Sequence, residues 1–148
     1  MPFLSLSLYN FRNLRNDKID LSSKEVFFIG ENGQGKSNLL ELLYYSAYGS
    51  SFRTHTDSQI IKEKEENFSL RSVYTNDKQS TQQINIIFDK NKKIIEKNGK
   101  RIRDRKELIN TIPCVVFCHD DMRFATGEPE FRIFLYNLSF SACLFSNF

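Results

Sequence analysis

Residues 30–37 read Gly30-Glu31-Asn32-Gly33-Gln34-Gly35-Lys36-Ser37, and nothing else in the 148-residue sequence narrows the fold so far. A glycine, four residues and then Gly-Lys-Ser is the spacing of a phosphate-binding loop set between a strand and a helix. Gly30, Gly33 and Gly35 allow backbone conformations closed to other residues, so successive N–H groups can converge on an anion. The N-terminal amides and dipole of the helix that follows add attraction for negative charge. Lys36 can reach the β- and γ-phosphates of a nucleoside triphosphate, and the Ser37 hydroxyl can ligate Mg²⁺. At average glycine usage, chance produces this spacing in a chain of this length with a probability of roughly 0.5%.

The flanking sequence supplies the context the loop requires. Glu25 to Ile29, with Val26-Phe27-Phe28-Ile29, is a short apolar run of the kind expected for a strand buried on both faces. From Lys36, Leu39, Leu42, Leu43 and Ala47 recur at helical spacing, and Gly49 stands where a helix end favours a left-handed residue. Upstream, Phe3 to Phe11 alternates as a half-buried strand does, Asn10 to Asn13 reads as a turn, and Lys18 to Leu21 as a short second strand. Downstream, Ser50 to Asp57 reads as a loop. Phe68–Tyr74, Gln82–Phe88 and Lys93–Lys97 read as strands, with Asn98-Gly99 turning the last into Arg101-Ile102-Arg103. A strand–loop–helix unit thus gives way to an antiparallel meander spanning about 66–103. Asp104 to Asn110 is expected to be a short helix and Pro113 to Cys118 a buried strand; helical spacing returns at Phe131, Phe134, Leu135 and Leu138.

With 40% apolar and 26% charged residues, the chain can build one globular core and is not of disordered composition. No uninterrupted apolar stretch approaches the roughly 18 residues of a membrane-spanning helix. The N-terminus does not read as a signal peptide. Cys114, Cys118 and Cys143 match no zinc or redox spacing and read as reduced, mostly buried thiols, which suits a cytoplasmic protein. The net charge of +3 is modest but uneven. Lys90, Lys92, Lys93, Lys97, Lys100, Arg101, Arg103, Arg105 and Lys106 are offset only by Glu96 and Asp104, a basic stripe that suits nucleic acid or a solvated hairpin.

Triphosphate hydrolysis would need a second acid near Mg²⁺ and a group that orients water. Asp120 and Asp121, after Val115-Val116-Phe117-Cys118-His119, are the candidates, and with them the chain would read as a complete small P-loop kinase or GTPase. His119 interrupts the apolar run that such an acid normally follows. His55 and His119 have no partners at catalytic or ligand spacing and read as surface or loop residues.

Further elements match in order. Leu6-x-Leu8-x-Asn10-Phe11-Arg12-Asn13 precedes Gly30-Glu31-Asn32-Gly33-Gln34-Gly35-Lys36-Ser37-Asn38-Leu39-Leu40-Glu41. Then come Gly49-x-Ser51-x-Arg53-Thr54, Asn98-Gly99, Pro113-x-Val115-x-Phe117 and Gly127-x-Pro129-x-x-Arg132-x-Phe134-Leu135. Over about 1–136 the sequence resembles the N-terminal part of the RecF family, bacterial recombinational repair proteins among the ABC-type ATPases related to SMC proteins. The resemblance implies an α/β fold, the N-terminal lobe of a P-loop ABC-type ATPase with an antiparallel meander after the P-loop helix. It implies that Gly30, Glu31, Asn32, Gly33, Gln34, Gly35, Lys36 and Ser37 bind ATP, with Mg²⁺ at Ser37, and that Arg53 approaches the nucleotide and links it to DNA. It implies an ATP-dependent homodimer in the full-length family, binding to single-stranded DNA and gapped duplex, and recombinase loading with RecO and RecR in the SOS response. Under this alignment Asp120-Asp121 falls in Phe117-Cys118-His119-Asp120-Asp121-Met122, with His119 where the family has proline, and is not the Walker B acid. The family's Walker B, signature motif and second lobe come later, so efficient hydrolysis is not expected. Residues 137–148 depart from the family and carry no charge, and read as the product of a frameshift or of a truncated gene.

Overall fold

The alternation at the start of the chain becomes strand β1 (Phe3–Tyr9), with Phe3, Leu6 and Leu8 buried and Tyr9 half exposed. This arrangement is seen in a computed structural model that describes residues 3–76, 78–104, 106–109, 111–112, 114–117 and 143–146. β1 pairs antiparallel on one side with β2 (Asp17–Asp20) and on the other with β3 (Asn67–Thr75). β4 (Thr81–Asp89), β5 (Lys92–Lys97) and β6 (Lys100–Ile102) then fold back in turn, giving one six-stranded sheet in the order β2-β1-β3-β4-β5-β6. The expected meander is therefore the larger part of a sheet that β1 and β2 complete.

Register follows from which face is apolar. Leu8 lies opposite Leu70, Leu70 opposite Ile86, Ile86 opposite Ile95 and Ile95 opposite Ile102. All five side chains of this row are buried. A one-residue slip at any pairing would send a strand's apolar set to the wrong face, so the row fixes the register.

Helix α1 (Lys36–Tyr48) covers that face. Its Leu40, Leu42, Leu43, Tyr45 and Ala47 are buried, and Tyr45 meets Phe68 of β3 edge to face at 5.5 Å between ring centroids. Phe11 joins both rings at 6.2 and 5.8 Å, and Phe68 stacks on Phe88. The helix stops at Gly49, in the left-handed region at φ 64, whose N–H bonds the Tyr45 carbonyl at 2.8 Å. The positive φ favours glycine, and a Cβ at Gly49 would lie 3.0 Å from the Ile95 side chain and 3.1 Å from that of Leu108, which would have to shift. After a loop, a 3₁₀ turn (Asp57–Ile60) leads to β3. Helix α2 (Lys106–Ile109) begins behind Asp104, whose carboxylate accepts the Lys106 N–H at 2.9 Å.

One expectation fails. The run Glu25–Ile29 forms no strand, and Phe27 and Ile29 are 79% and 94% exposed. A strand buried on both faces needs a hydrogen-bonded neighbour and a cover for each face. Among the described residues the sheet runs from β2 to β6 without it, so its composition is that of a buried strand but its surroundings are not.

Residues 113–148 form a second unit, in which β7 (Cys114–Phe117) pairs in parallel with β8 (Cys143–Ser146). Cys114 is buried as expected. The helical spacing at Phe131–Leu138 lies outside the described residues, as do Cys118, His119, Asp120 and Asp121. No helix among the described residues is long and apolar enough to cross a membrane.

Candidate phosphate-loop site

Residues 30–35 form an exposed loop that Lys36 and Ser37 close as the first two residues of α1. The N-cap is Gly35, which offers no side-chain cap, and the helix has no acidic residue in its first turn. The Leu39 N–H takes the Gly35 carbonyl at 2.9 Å, so the Lys36, Ser37 and Asn38 amides precede the first intrahelical bond. That end of α1 therefore presents amide donors and positive dipole to whatever the loop encloses. The Lys36 ammonium lies across the loop, donating to the Gly30 carbonyl at 2.7 Å and to that of Glu31 at 2.8 Å. The Gln34 side chain accepts the Glu31 N–H at 3.1 Å. The exposed Ser37 hydroxyl stands at the helix start, where it fits as one oxygen ligand of a hard cation whose other ligands are water and phosphate. Among the described residues no three His, Cys, Asp or Glu side chains cluster as a metal site, so a cation here would depend on such mixed ligation.

The loop is braced from the turn that follows β1. Gly35 has φ 99, and a Cβ there would lie 2.9 Å from both Asn13 Oδ1 and Leu14 Cδ2. Asn13 donates to the Gly33 carbonyl at 3.2 Å and accepts from Asn38 Nδ2 at 2.8 Å. Asn38 Oδ1 in turn accepts from Arg53 at 2.6 Å, so Arg53, 45% exposed, sits beside the first turn of α1. Below it lies Glu41, fully buried. Arg12 grips its carboxylate with two bonds, Nε to Oε2 at 3.0 Å and Nη2 to Oε1 at 2.8 Å, and also donates to the Gln59 carbonyl at 2.7 Å. Arg53 reaches Oε2 at 3.3 Å, and the Ser51 hydroxyl bonds the other oxygen. A cleft of about 500 Å³ opens next to this network, lined by Arg12, Asn13, Asn38, Gln59, Lys62 and Glu63 among others.

The sequence singled out the loop, Lys36, Ser37 and Arg53 as candidates, and the structure brings Arg53 close to Asn38, the residue after Ser37. Sequence reasoning missed the scaffold role of Asn13, Asn38 and Glu41. A signal for Glu41 was present: one acid inside Leu39-Leu40-Glu41-Leu42-Leu43 has to be buried with a partner, and arginines stand in the turns on either side in sequence. His55 is exposed in the loop after α1, as expected.

The sequence pattern of the AAA domain family matches residues 5–126. The DNA replication and repair protein RecF of Treponema pallidum (strain Nichols) is 48% identical over 141 residues, 93% of this chain and 39% of that protein. RecF of Clostridium botulinum (strain Loch Maree / Type A3) is 37% identical over 133 residues, 89% of this chain and 36% of that protein. The chain thus spans less than half the length of either relative. Among solved structures, the recombination mediator protein RecF-ATPrS of the RecFOR pathway superposes with a TM-score of 0.74 at 27% identity, over 93% of this chain and 38% of that one. RecF-ATP superposes with a TM-score of 0.72, again at 27% identity.

Proposed function

The chain belongs to the AAA domain family and matches the N-terminal part of RecF proteins, and from that premise we propose that it is the ATP-binding lobe of a RecF-like protein of DNA replication and repair. The observation that carries this reading is the union, in one loop, of the uncapped N-terminus of α1 and the Lys36 ammonium. Gly30 through Gly35 wrap the phosphates, the first-turn amides and Lys36 offset their charge, and Ser37 supplies a ligand to Mg²⁺, which when bound neutralises the β- and γ-oxygens. The cleft beside Asn13 and Asn38 gives the nucleoside room next to the loop, and Arg53 bonds Asn38 at its wall. The likeness to RecF-ATP supports ATP as the nucleotide.

DNA, single-stranded or gapped duplex, is the proposed partner of the outward cations of the β5–β6 hairpin. ATP-dependent pairing of two heads, cooperation with RecO and RecR, recombinase loading and the SOS response follow for the whole protein from the RecF resemblance.

Titration of the purified chain with a fluorescent ATP analogue and Mg²⁺ tests the reading. Saturable binding is expected, weakened at least about 10-fold in Lys36→Ala, roughly 1.4 kcal/mol. Equal binding by both proteins, or none by either, overturns it.

A further inference from the structure

Lys93 belongs by sequence to the basic stripe, but the structure turns it away from solvent. Along β5 the side chains alternate, and Lys93 falls on the buried face opposite Phe88. Its ammonium lies 2.7 Å from Asp57 Oδ2, donates to the Gly49 carbonyl at 2.8 Å and sits 5.6 Å from the centre of the Tyr45 ring. Asp57 is itself held by the Tyr45 hydroxyl, which donates to Oδ1 at 2.8 Å. The lysine and aspartate side chains are 21% and 23% exposed, so the pair is largely shielded from water and from screening salt. Lys97, on the same face, donates instead to Thr111 Oγ1 at 3.0 Å. Lys92, Lys100, Arg101 and Arg103 remain exposed.

Of the three partners of Lys93, Tyr45 lies in the last turn of α1 and Gly49 caps that end, where carbonyl ends favour a cation, while Asp57 opens the 3₁₀ turn after the following loop. The first turn of the same helix closes the phosphate loop. One helix of 13 residues, about 20 Å long, therefore has the loop at one end and the basic hairpin at the other. We infer that Lys93 is a positioning residue that brackets the hairpin to the phosphate-loop helix, so that nucleotide held at one end of α1 orders the hairpin at the other. This rests on the nucleotide-binding reading above, and it assigns regulation of that site to a contact made by neither ATP nor DNA.

Hydrogen–deuterium exchange on the full chain, with and without a non-hydrolysable ATP analogue and Mg²⁺, tests it without DNA. Nucleotide is expected to slow exchange across residues 92–102 by about 5-fold or more, the lower end of ordinary coupling between sites. Lys93→Met keeps the length and removes the charge; it is expected to cut that response below about 2-fold while analogue affinity stays within about 3-fold of the parent. Lys93→Arg, which can still reach Asp57, restores most of the response. Asp57→Asn reproduces the loss, and the double variant adds nothing further, as expected for two residues acting through one contact. Parent chain that binds nucleotide while hairpin exchange is unchanged overturns the inference alone, as does a full response in folded Lys93→Met. No nucleotide binding by the parent overturns the phosphate-loop reading, and the bracket with it.

Discussion

At the scale of single residues, Glu41 shows how the site is held. Its carboxylate is fully buried, and Arg12, 22% exposed, satisfies both oxygens. Removing one partner of a buried ion pair leaves a charge that burial penalises, typically by 3–5 kcal/mol. Arg12→Met is thus expected to lower the unfolding free energy by about that much, a large share of the roughly 5–15 kcal/mol typical of a domain. Arg53→Met, which removes a longer contact from a half-exposed side chain, should cost under about 1 kcal/mol. Urea unfolding of the two variants checks the ordering, and equal losses would mean that Glu41 depends on both arginines alike. Tyr74 is a different case. It is buried in β3, its hydroxyl has no partner among the described residues, and burial raises its pKa above the ordinary 10.0. The folded chain keeps the phenolic proton where the unfolded chain loses it. The corresponding stability is complete below about pH 10 and is lost as pH rises toward the higher folded value. Tyr74→Phe is expected to gain about 1–3 kcal/mol at neutral pH, by removing an unsatisfied buried hydroxyl, and to lose that alkaline decline. Urea midpoints measured from neutral pH to about pH 11 decide, since a destabilised Tyr74→Phe would show that the hydroxyl does have a partner.

At the scale of elements, what was legible was local. β3 and β4 were readable because Phe68, Leu70 and Tyr74, and Ile84, Ile86 and Phe88, fall at a spacing of two or four, and the β5–β6 hairpin because Asn98 and Gly99 take positive φ, 51° and 76°, at little cost. α1 was readable from its apolar spacing and from Gly49. No local pattern could show that β1 pairs with β3, because that contact joins segments far apart in sequence and depends on which faces remain to be covered. For the same reason Glu25–Ile29 was misread: its residues report a preference for burial, and only the assembled sheet shows that, among the described residues, no strand pairs with it. The scaffold of the site was hidden in the same way, since Asn13, Asn38 and Arg53 meet only once α1 has docked. The misread segment has a consequence for behaviour in solution. Phe27 and Ile29 expose apolar surface that a second chain would cover. The double substitution Phe27→Asp and Ile29→Lys is expected to reduce self-association while changing unfolding free energy by no more than about 0.5 kcal/mol, as for ordinary surface changes. Light scattering against concentration, beside a melting curve, checks both halves; a large loss of stability would show that the segment is packed after all.

At the scale of the whole molecule, the net charge of +3 is too small to make the chain a general polyanion binder, so any grip on DNA has to come from how the cations are distributed. The sequence showed a stripe; the structure divides it by direction. Lys93 and Lys97 are committed inward to Asp57 and Thr111, whereas Lys100, Arg101 and Arg103 project from the hairpin and the residue after it. Each cation that neutralises a phosphate releases a condensed counterion, which makes the logarithm of the binding constant fall with the logarithm of salt by about 0.7 per contact on a single strand. Substituting Lys100, Arg101 or Arg103 by Met should therefore shrink the salt slope on single-stranded DNA by about 0.7 each, with effects that add across the three. Lys93→Met and Lys97→Met should leave the slope alone, even where Lys93→Met alters how the hairpin answers nucleotide. Fluorescence anisotropy over a salt series reads this directly. A slope that drops equally for inward and outward substitutions would mean that charge acts in bulk, without regard to direction. A slope indifferent to all five would remove this hairpin as the proposed DNA contact while leaving the phosphate loop as it stands.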